Sequence, residues 1–144
     1  MEILKDDNPA AERTADFCAY TGSGSGKSYP LGATIGCGGV NFSVYSKNSS
    51  SMELLLFDSA TVPLPSRIIP LDPKRNRTSH YWHVFVPGLR VGQIYAYRAH
   101  GPFEPQRGLR FDPAKVLLDP YGKAVAVPER YDRNAASRAG DTTA

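Results

Sequence analysis

The sequence is poor in the residues that build metal and disulfide sites, since its 144 residues include only two cysteines and three histidines. Cys18 and Cys37 are isolated from each other and lack the paired spacing of zinc ligands, so both thiols are expected to be reduced and structural. His83 has no second candidate ligand at metal spacing. The sequence therefore predicts no metal site and no cofactor.

Long apolar runs are also lacking, since none approaches the roughly 18 residues of a membrane span. The opening residues MEILKDDNPA carry acidic side chains where a secretory signal has a basic start followed by an apolar segment. No membrane association is predicted, and a cytoplasmic location is expected. The net charge of +3 is small, and the densest basic run, DPKRNRTSH at residues 72–80, lacks the interleaved aromatic residues of a nucleic-acid site. It is predicted to be a solvated loop, with no nucleic-acid partner.

A nucleotide site is suggested by residues 21–32, TGSGSGKSYPLG, which resemble the end of a phosphate-binding loop. That loop requires a glycine where Thr21 stands, a buried strand before it and a helix after it. No β-branched run precedes the segment, and Pro30 and Gly32 stop any helix. The nucleotide-binding interpretation is rejected, and residues 22–28 are predicted to be a flexible connector.

Glycine and proline are plentiful, with 13 and 12 residues, which favours an all-β domain of short elements joined by turns. The chain is too short for a (β/α)8 barrel of about 250 residues. Strands are predicted at GGVNFSVYSKN, MELLLFD, SRIIPL, HYWHVFV and QIYAYRAH, and the last two are predicted to pair as a hairpin across PGLRVG. Pro70 places the third strand at an edge. Five or six strands at this spacing predict an immunoglobulin-like β-sandwich.

Four segments are predicted along the chain. Residues 1–28 form an acidic, flexible leader, and residues 29–100 form the sandwich. Residues 101–127 form an irregular segment in which residues 114–119 make one short helical turn ended by Pro120. Residues 128–144 are polar and without period, which predicts a disordered linker.

Three strings, YRAHGPFEP, GLRFDPAK and LLDPYGKA, resemble the N-terminal part of isoamylase-type glycogen debranching enzymes of the α-amylase superfamily. The resemblance runs from about Tyr29 to Val127. It implies an early-set β-sandwich related to glycogen-binding modules, followed by a segment that leads to a catalytic (β/α)8 barrel outside these residues. The barrel would then be the module's partner, with an α-glucan as a candidate ligand.

Hydrolysis in this superfamily uses two carboxyl groups that face each other across the glycosidic bond. Asp112 and Asp119 are the tempting pair, but each precedes a proline, where aspartate commonly initiates a turn. The resemblance places the catalytic residues in the barrel. No catalytic residue is therefore assigned to this chain.

Three aromatic residues are candidates for sugar stacking: Trp82, Tyr97 and Phe103. Trp82 shares a strand face with Val84 and Val86, which favours a core position. The face of Tyr95 and Tyr97 can be core, sugar platform or interface. Phe103 stands where related glycogen-binding modules, by resemblance, often carry a sugar-stacking tryptophan.

A docking surface is the competing interpretation of the segment around HGPFEPQRGLRFDP, since exposed apolar loop residues commonly mark an interaction surface. Its candidate residues are His100, Phe103, Arg110, Phe111 and Tyr121. Two functions remain open from the residues and the resemblance. The chain is the non-catalytic N-terminal module of an α-1,6-glucan debranching hydrolase, or it is a free-standing glucan-binding module.

Overall fold

Two four-stranded antiparallel sheets organise the computed structural model, which describes residues 2–3, 24–128, 131–138 and 140. The first sheet has the order β1 (Glu2–Ile3), β8 (Ile94–His100), β4 (Ser51–Phe57), β5 (Arg67–Leu71). The second has the order β2 (Gly32–Gly36), β3 (Gly39–Tyr45), β7 (Tyr81–Pro87), β6 (Arg77–Thr78). A small hairpin of β9 (Phe103–Glu104) and β10 (Leu109–Arg110) encloses a 3-10 turn at Pro105–Arg107.

The main core lies between the two sheets and is built by alternate residues of their long strands. On β3, Val40, Phe42 and Val44 point inward, as their period of two predicts. Their cross-strand partners on β7 are Val86, Val84 and Trp82. The first sheet contributes Leu54, Leu56, Tyr95 and Tyr97 to the same core. The predicted all-β sandwich is confirmed, whereas its immunoglobulin-like character stays a prediction.

The edge position predicted for the proline-containing strand is confirmed, because β5 ends the first sheet and pairs only with β4 among the described strands. Pro70 lacks a backbone N–H and is tolerated where one side of a strand needs no partner.

The predicted hairpin between HYWHVFV and QIYAYRAH is wrong. These segments are β7 and β8, and they lie in different sheets, β7 beside β3 and β8 beside β4. The connection at residues 88–93 crosses from one sheet to the other, and packed sheets lie about 10 Å apart. Both strands present apolar residues to the same core, so their inner faces meet across the sandwich rather than side by side.

The predicted flexible connector at residues 22–28 is wrong over the part that is described. Residues 24–28, here called the strap, lie along the outer face of the second sheet. Asn41 accepts from Lys27 N at 2.7 Å and donates to Lys27 O at 2.9 Å, while Ser43 donates to Ser28 O at 2.8 Å. Gly26 allows this close approach, because a Cβ there would lie 2.6 Å from the backbone carbon of Val84.

His83 completes the strap contacts and is buried beneath it. Its Nδ1 lies 2.6 Å from Ser25 O, and its Nε2 lies 2.9 Å from the Thr78 hydroxyl. A carbonyl oxygen only accepts, so Nδ1 carries the proton and donates to Ser25. The strand face that His83 shares with Tyr81 and Phe85 predicts a hydrogen-bonded surface or interface histidine, whereas the structure buries His83 and gives it a role in holding the strap.

The expectation of reduced cysteines is contradicted at Cys37, which is disulfide-bonded. Cys37 lies in the tight turn between β2 and β3, beside Gly38. The expectation for Cys18, like most of the predicted leader, lies outside the described residues.

The predicted helical turn at residues 114–119 is also wrong. Leu117 instead pairs with Tyr97 of β8, each backbone N–H donating to the other's carbonyl, at 2.9 and 2.7 Å. The predicted linker contains a five-residue helix, α1 (Arg133–Ser137), and its N-cap Asp132 accepts a hydrogen bond from the Asn134 N–H. No helix in the described ranges is long and apolar enough to cross a membrane.

Candidate functional site

The predicted docking segment follows the last strand of the first sheet and folds back on itself. His100 ends β8, and the chain then forms the β9–β10 hairpin, in which Phe103 faces Arg110. Phe103 is 56% exposed and Arg110 is exposed. His100 lies 3.8 Å from the carboxylate of Glu53, which also pairs with Arg98 at 3.1 Å. The hairpin therefore brings His100, Phe103 and Arg110 to one end of the sandwich.

Phe111 departs from the expectation that it is presented to a neighbouring domain. Its ring is half-buried and packs against the main core. Gly101 makes room for it, because a Cβ at Gly101 would lie 2.6 Å from the Phe111 ring. The sequence shows that an apolar ring follows the hairpin. Whether that ring is covered depends on the side to which the hairpin folds, which is a tertiary property.

Tyr121 is separate from the other docking candidates. It lies beside Gly32 at the start of β2, since a Cβ built on Gly32 would be 3.0 Å from the Tyr121 Cβ. Its side chain is 53% exposed. Among the described residues it makes no side-chain hydrogen bond or ring contact with the hairpin.

Two of the three candidate sugar-stacking residues are buried. Trp82 is 0% exposed, its indole N–H donates to Ser46 O at 3.2 Å, and Arg77 lies over its ring. Tyr97 is 2% exposed, and burial, Asp119 and Tyr95 together raise its pKa well above the usual 10.0. Neither ring has a face for a sugar. Of the three candidates, only Phe103 is exposed.

Asp112 has the local geometry of a turn residue. Its Oδ1 accepts from Ala114 N at 2.9 Å, and its Oδ2 accepts from Gly140 N at 2.7 Å. These backbone bonds, with that from Gly140 the stronger influence, hold its pKa below the usual value. Both carboxylate oxygens are thus occupied, as expected for a turn aspartate.

Asp119 is a turn residue as well, but a buried one. Its Oδ1 accepts from Tyr121 N at 2.9 Å, and its Oδ2 accepts from the Tyr95 hydroxyl at 3.0 Å. Burial raises the pKa of Asp119 above its usual value, although both hydrogen bonds act against the rise. Asp119 therefore fastens the chain that follows Leu117 to the core of the sandwich.

A groove that the sequence did not predict opens at the same end of the sandwich. It has a volume of about 450 Å3 and lies between the β3–β4 connection and the β9–β10 hairpin. Residues 45–48 form one wall, and residues 108–112 form the other. We call it the end groove. No local sequence pattern predicts the groove, because its two walls lie at least 60 positions apart in the chain.

A metal site is not present in the part of the chain that the structure describes, where no group of three or more histidine, cysteine, aspartate or glutamate side chains converges. Residues 24–28, the described part of the phosphate-loop motif, form the strap along the sheet and open no helix. Their geometry gives no support to a nucleotide site.

Comparison with known proteins matches one family to the part of the chain that holds strands β2 to β10. The profile of carbohydrate-binding module 48, the isoamylase N-terminal domain, matches residues 30–122. A glycogen debranching enzyme of Serratia proteamaculans is 46% identical over 103 residues, which cover 72% of this chain and 15% of that enzyme. Isoamylase SU1, chloroplastic, of Zea mays is 44% identical over 110 residues, covering 74% of this chain and 14% of the relative.

Solved structures agree on the fold. A pullulanase from Bacillus acidopullulyticus superposes with a TM-score of 0.55 at 19% identity, covering 76% of this chain and 11% of that one. A maltotriose-bound pullulanase mutant from Paenibacillus barengoltzii gives a TM-score of 0.53 at 20% identity, covering 76% and 14%. The chain thus spans about one seventh or less of the proteins that it resembles.

Proposed function

Because the chain belongs to the family of carbohydrate-binding module 48, the isoamylase N-terminal domains, we propose that it is the non-catalytic N-terminal module of a glycoside hydrolase. That hydrolase cleaves α-1,6 branch linkages of glycogen or similar α-glucans. The module braces the catalytic barrel and helps to shape its substrate cleft. The family match carries this proposal, and the debranching relatives of which the chain covers only 14–15% support it.

The state of the carboxylates supports a non-catalytic role. Asp112 and Asp119 each hold backbone amides, and Asp119 is buried against Tyr95. A retaining or inverting glycosidase needs two carboxyl groups that are open to the scissile bond. These two aspartates are committed to turns instead.

The distribution of exposed apolar side chains supports docking to a further domain. Seven of the sixteen large hydrophobic side chains exposed in the described residues lie between residues 101 and 127. They are Phe103, Val116, Leu117, Leu118, Tyr121, Val125 and Val127. Such a concentration is typical of a surface that another protein surface covers. We propose the enzyme's own barrel as that cover, with Phe103, Arg110 and Tyr121 at the contact and His100 and Phe111 positioning the hairpin.

A domain replacement tests the proposal. Residues 30–122 of this chain would replace the matching region of the Serratia proteamaculans debranching enzyme. We expect the chimera to release reducing ends from amylopectin. We also expect Phe103→Ala and Tyr121→Ala to lower the chimera's Tm or activity while leaving the Tm of the 144-residue chain nearly unchanged.

Ile68→Ala is the matched control, because Ile68 is exposed to 47% on the edge strand β5, outside residues 101–127. It should leave both the chimera and the isolated chain unaffected. A soluble but inactive chimera, or equal effects of Ile68→Ala and the two docking variants, would contradict the bracing role.

A free-standing glucan-binding module is the second candidate, favoured by the carbohydrate-binding description of the family. The coding sequence after residue 144 separates the two: a continuous barrel-encoding frame supports the first function, and an early stop supports the second. The cytoplasmic location stays a prediction on either function.

A further inference from the structure

We propose that the end groove binds a short stretch of an α-glucan chain. This inference rests on the proposed function, because it names the ligand and the place at which the module would hold it. The volume of about 450 Å3 falls within the range of about 300 to 1,000 Å3 of small-molecule sites. The groove is distinct from the predicted sugar residues, since Trp82, Tyr97 and Phe103 do not line it.

The apolar part of the groove suits the C–H face of a sugar ring. Ala99, Phe111 and Leu117 line it. Phe111 is held in place by the main core and by Gly101. Tyr45 adds an aromatic ring that is 49% exposed. Aromatic faces beside a few placed polar groups are the usual lining of a small-molecule site.

Tyr45 is oriented before any ligand arrives. Its ring meets Tyr81 edge to face, with centroids 5.4 Å apart and planes at 68°. It meets His80 in the same manner at 6.1 Å and 84°. Two edge contacts restrict the rotation of the ring, so less conformational entropy is lost when a sugar stacks on it.

The polar rim retains hydrogen-bonding capacity. Asp112 and Lys115 are already engaged, Asp112 by two backbone amides and Lys115 by the carbonyl of Ala135. By contrast, the side chains of Ser46, Asn48 and Arg110 make no hydrogen bond with other described residues, nor does the ammonium of Lys47. These groups offer donors to sugar oxygens, and the Asn48 amide and Ser46 hydroxyl also accept.

An α-glucan fits this combination better than an anion does. Lys47 and Arg110 would attract phosphate, but inorganic phosphate has no apolar face with which to cover Phe111 and Tyr45. A glucan offers both a ring face and hydroxyl groups. Because residues 110 and 111 belong to the docking segment as well, a chain bound here would lie at the border between this module and the barrel.

Chemical-shift mapping tests the site. The 15N-labelled 144-residue chain would be titrated with maltoheptaose up to about 10 mM, tenfold above a dissociation constant of ~1 mM. We expect the amide signals of residues 45–48 and 108–112 to move. Tyr45→Ala and Asn48→Ala should each weaken binding at least tenfold. Tyr131→Ala is the matched control, since Tyr131 is 52% exposed and lies outside the groove; its affinity should equal that of the parent chain.

Any of the following results would overturn the proposal: no shifts at the highest sugar concentration, shifts confined to other surfaces, equal loss in Tyr131→Ala, or equal binding of the β-1,4 oligomer cellohexaose. The same shifts with inorganic phosphate alone would make the groove an anion site and overturn it as well. An active chimera without maltoheptaose binding removes only this inference. Sugar binding in the groove with an inactive chimera removes only the bracing function.

Discussion

Phe103 and Phe111 lie eight positions apart, and the fold assigns them opposite environments. Phe103 is 56% exposed, whereas Phe111 packs against the main core. We predict that Phe103→Ala barely changes the Tm of the 144-residue chain, because little apolar area is lost from the interior. Phe111→Ala should lower the free energy of unfolding by about 1.5 to 3 kcal/mol. Thermal and urea unfolding of both variants measure the difference, and a large loss for Phe103→Ala would assign that ring to the module's own core.

Asp119 predicts a pH dependence of stability. Burial raises its pKa in the folded state above the usual 3.8, so its favourable contribution is complete below that value and is lost as the pH rises through the folded pKa. The free energy of unfolding of the parent chain should therefore fall, relative to that of Asp119→Asn, as the pH rises from about 4 toward neutrality.

The asparagine side chain keeps an oxygen for the Tyr121 amide but does not titrate, so the difference between the two pH profiles isolates Asp119. Parallel profiles in urea denaturation from pH 3 to pH 7 would mean that the carboxyl ionises in the folded protein as it does in water.

The strap can lie close to the second sheet because Gly26 has no side chain. Gly26 has φ +73° and would place a Cβ 2.7 Å from Asn41 Oδ1 and 2.6 Å from the Val84 carbonyl carbon. We predict that Gly26→Ala lifts the strap and costs about 1 to 3 kcal/mol more than Gly24→Ala. Gly24 is the matched control, because its φ of +47° is also positive but a Cβ there meets nothing within 4 Å.

Hydrogen exchange at Lys27 reports on the same element, because its amide donates to Asn41. Exchange should accelerate in Gly26→Ala and stay slow in Gly24→Ala. Equal stability and equal exchange in the two variants would show that the strap contributes little to the fold.

At the scale of the whole molecule, we predict that the purified 144-residue chain releases no reducing ends from glycogen or amylopectin. Its two best-placed carboxylates accept backbone amides in turns, and Asp119 is buried as well. A reducing-sugar assay against a buffer control measures this, with the Serratia proteamaculans enzyme as the positive control. Release above the control, in proportion to the amount of chain, would contradict the non-catalytic assignment.

The sequence by itself determined the class of the fold and the family. Period-two alternation on β3 and β7 specifies which residues face the main core, because successive side chains of a strand point to opposite sides. Pro70 was enough to place β5 at an edge, since a missing N–H is a local property. The strings around HGPFEP and LLDPYG carried the resemblance that the family profile confirms.

Tertiary structure alone decided which strands pair, what covers each face and where the end groove opens. Alternation does not distinguish a hairpin from two strands that face each other across a core, so β7 and β8 were wrongly paired. The strap depends on contacts between residues 24–28 and side chains up to 58 positions away. The packing of Phe111 against the main core, the burial of Asp119 and the two walls of the end groove likewise depend on long-range contacts. A local pattern carries no information about contacts of that kind.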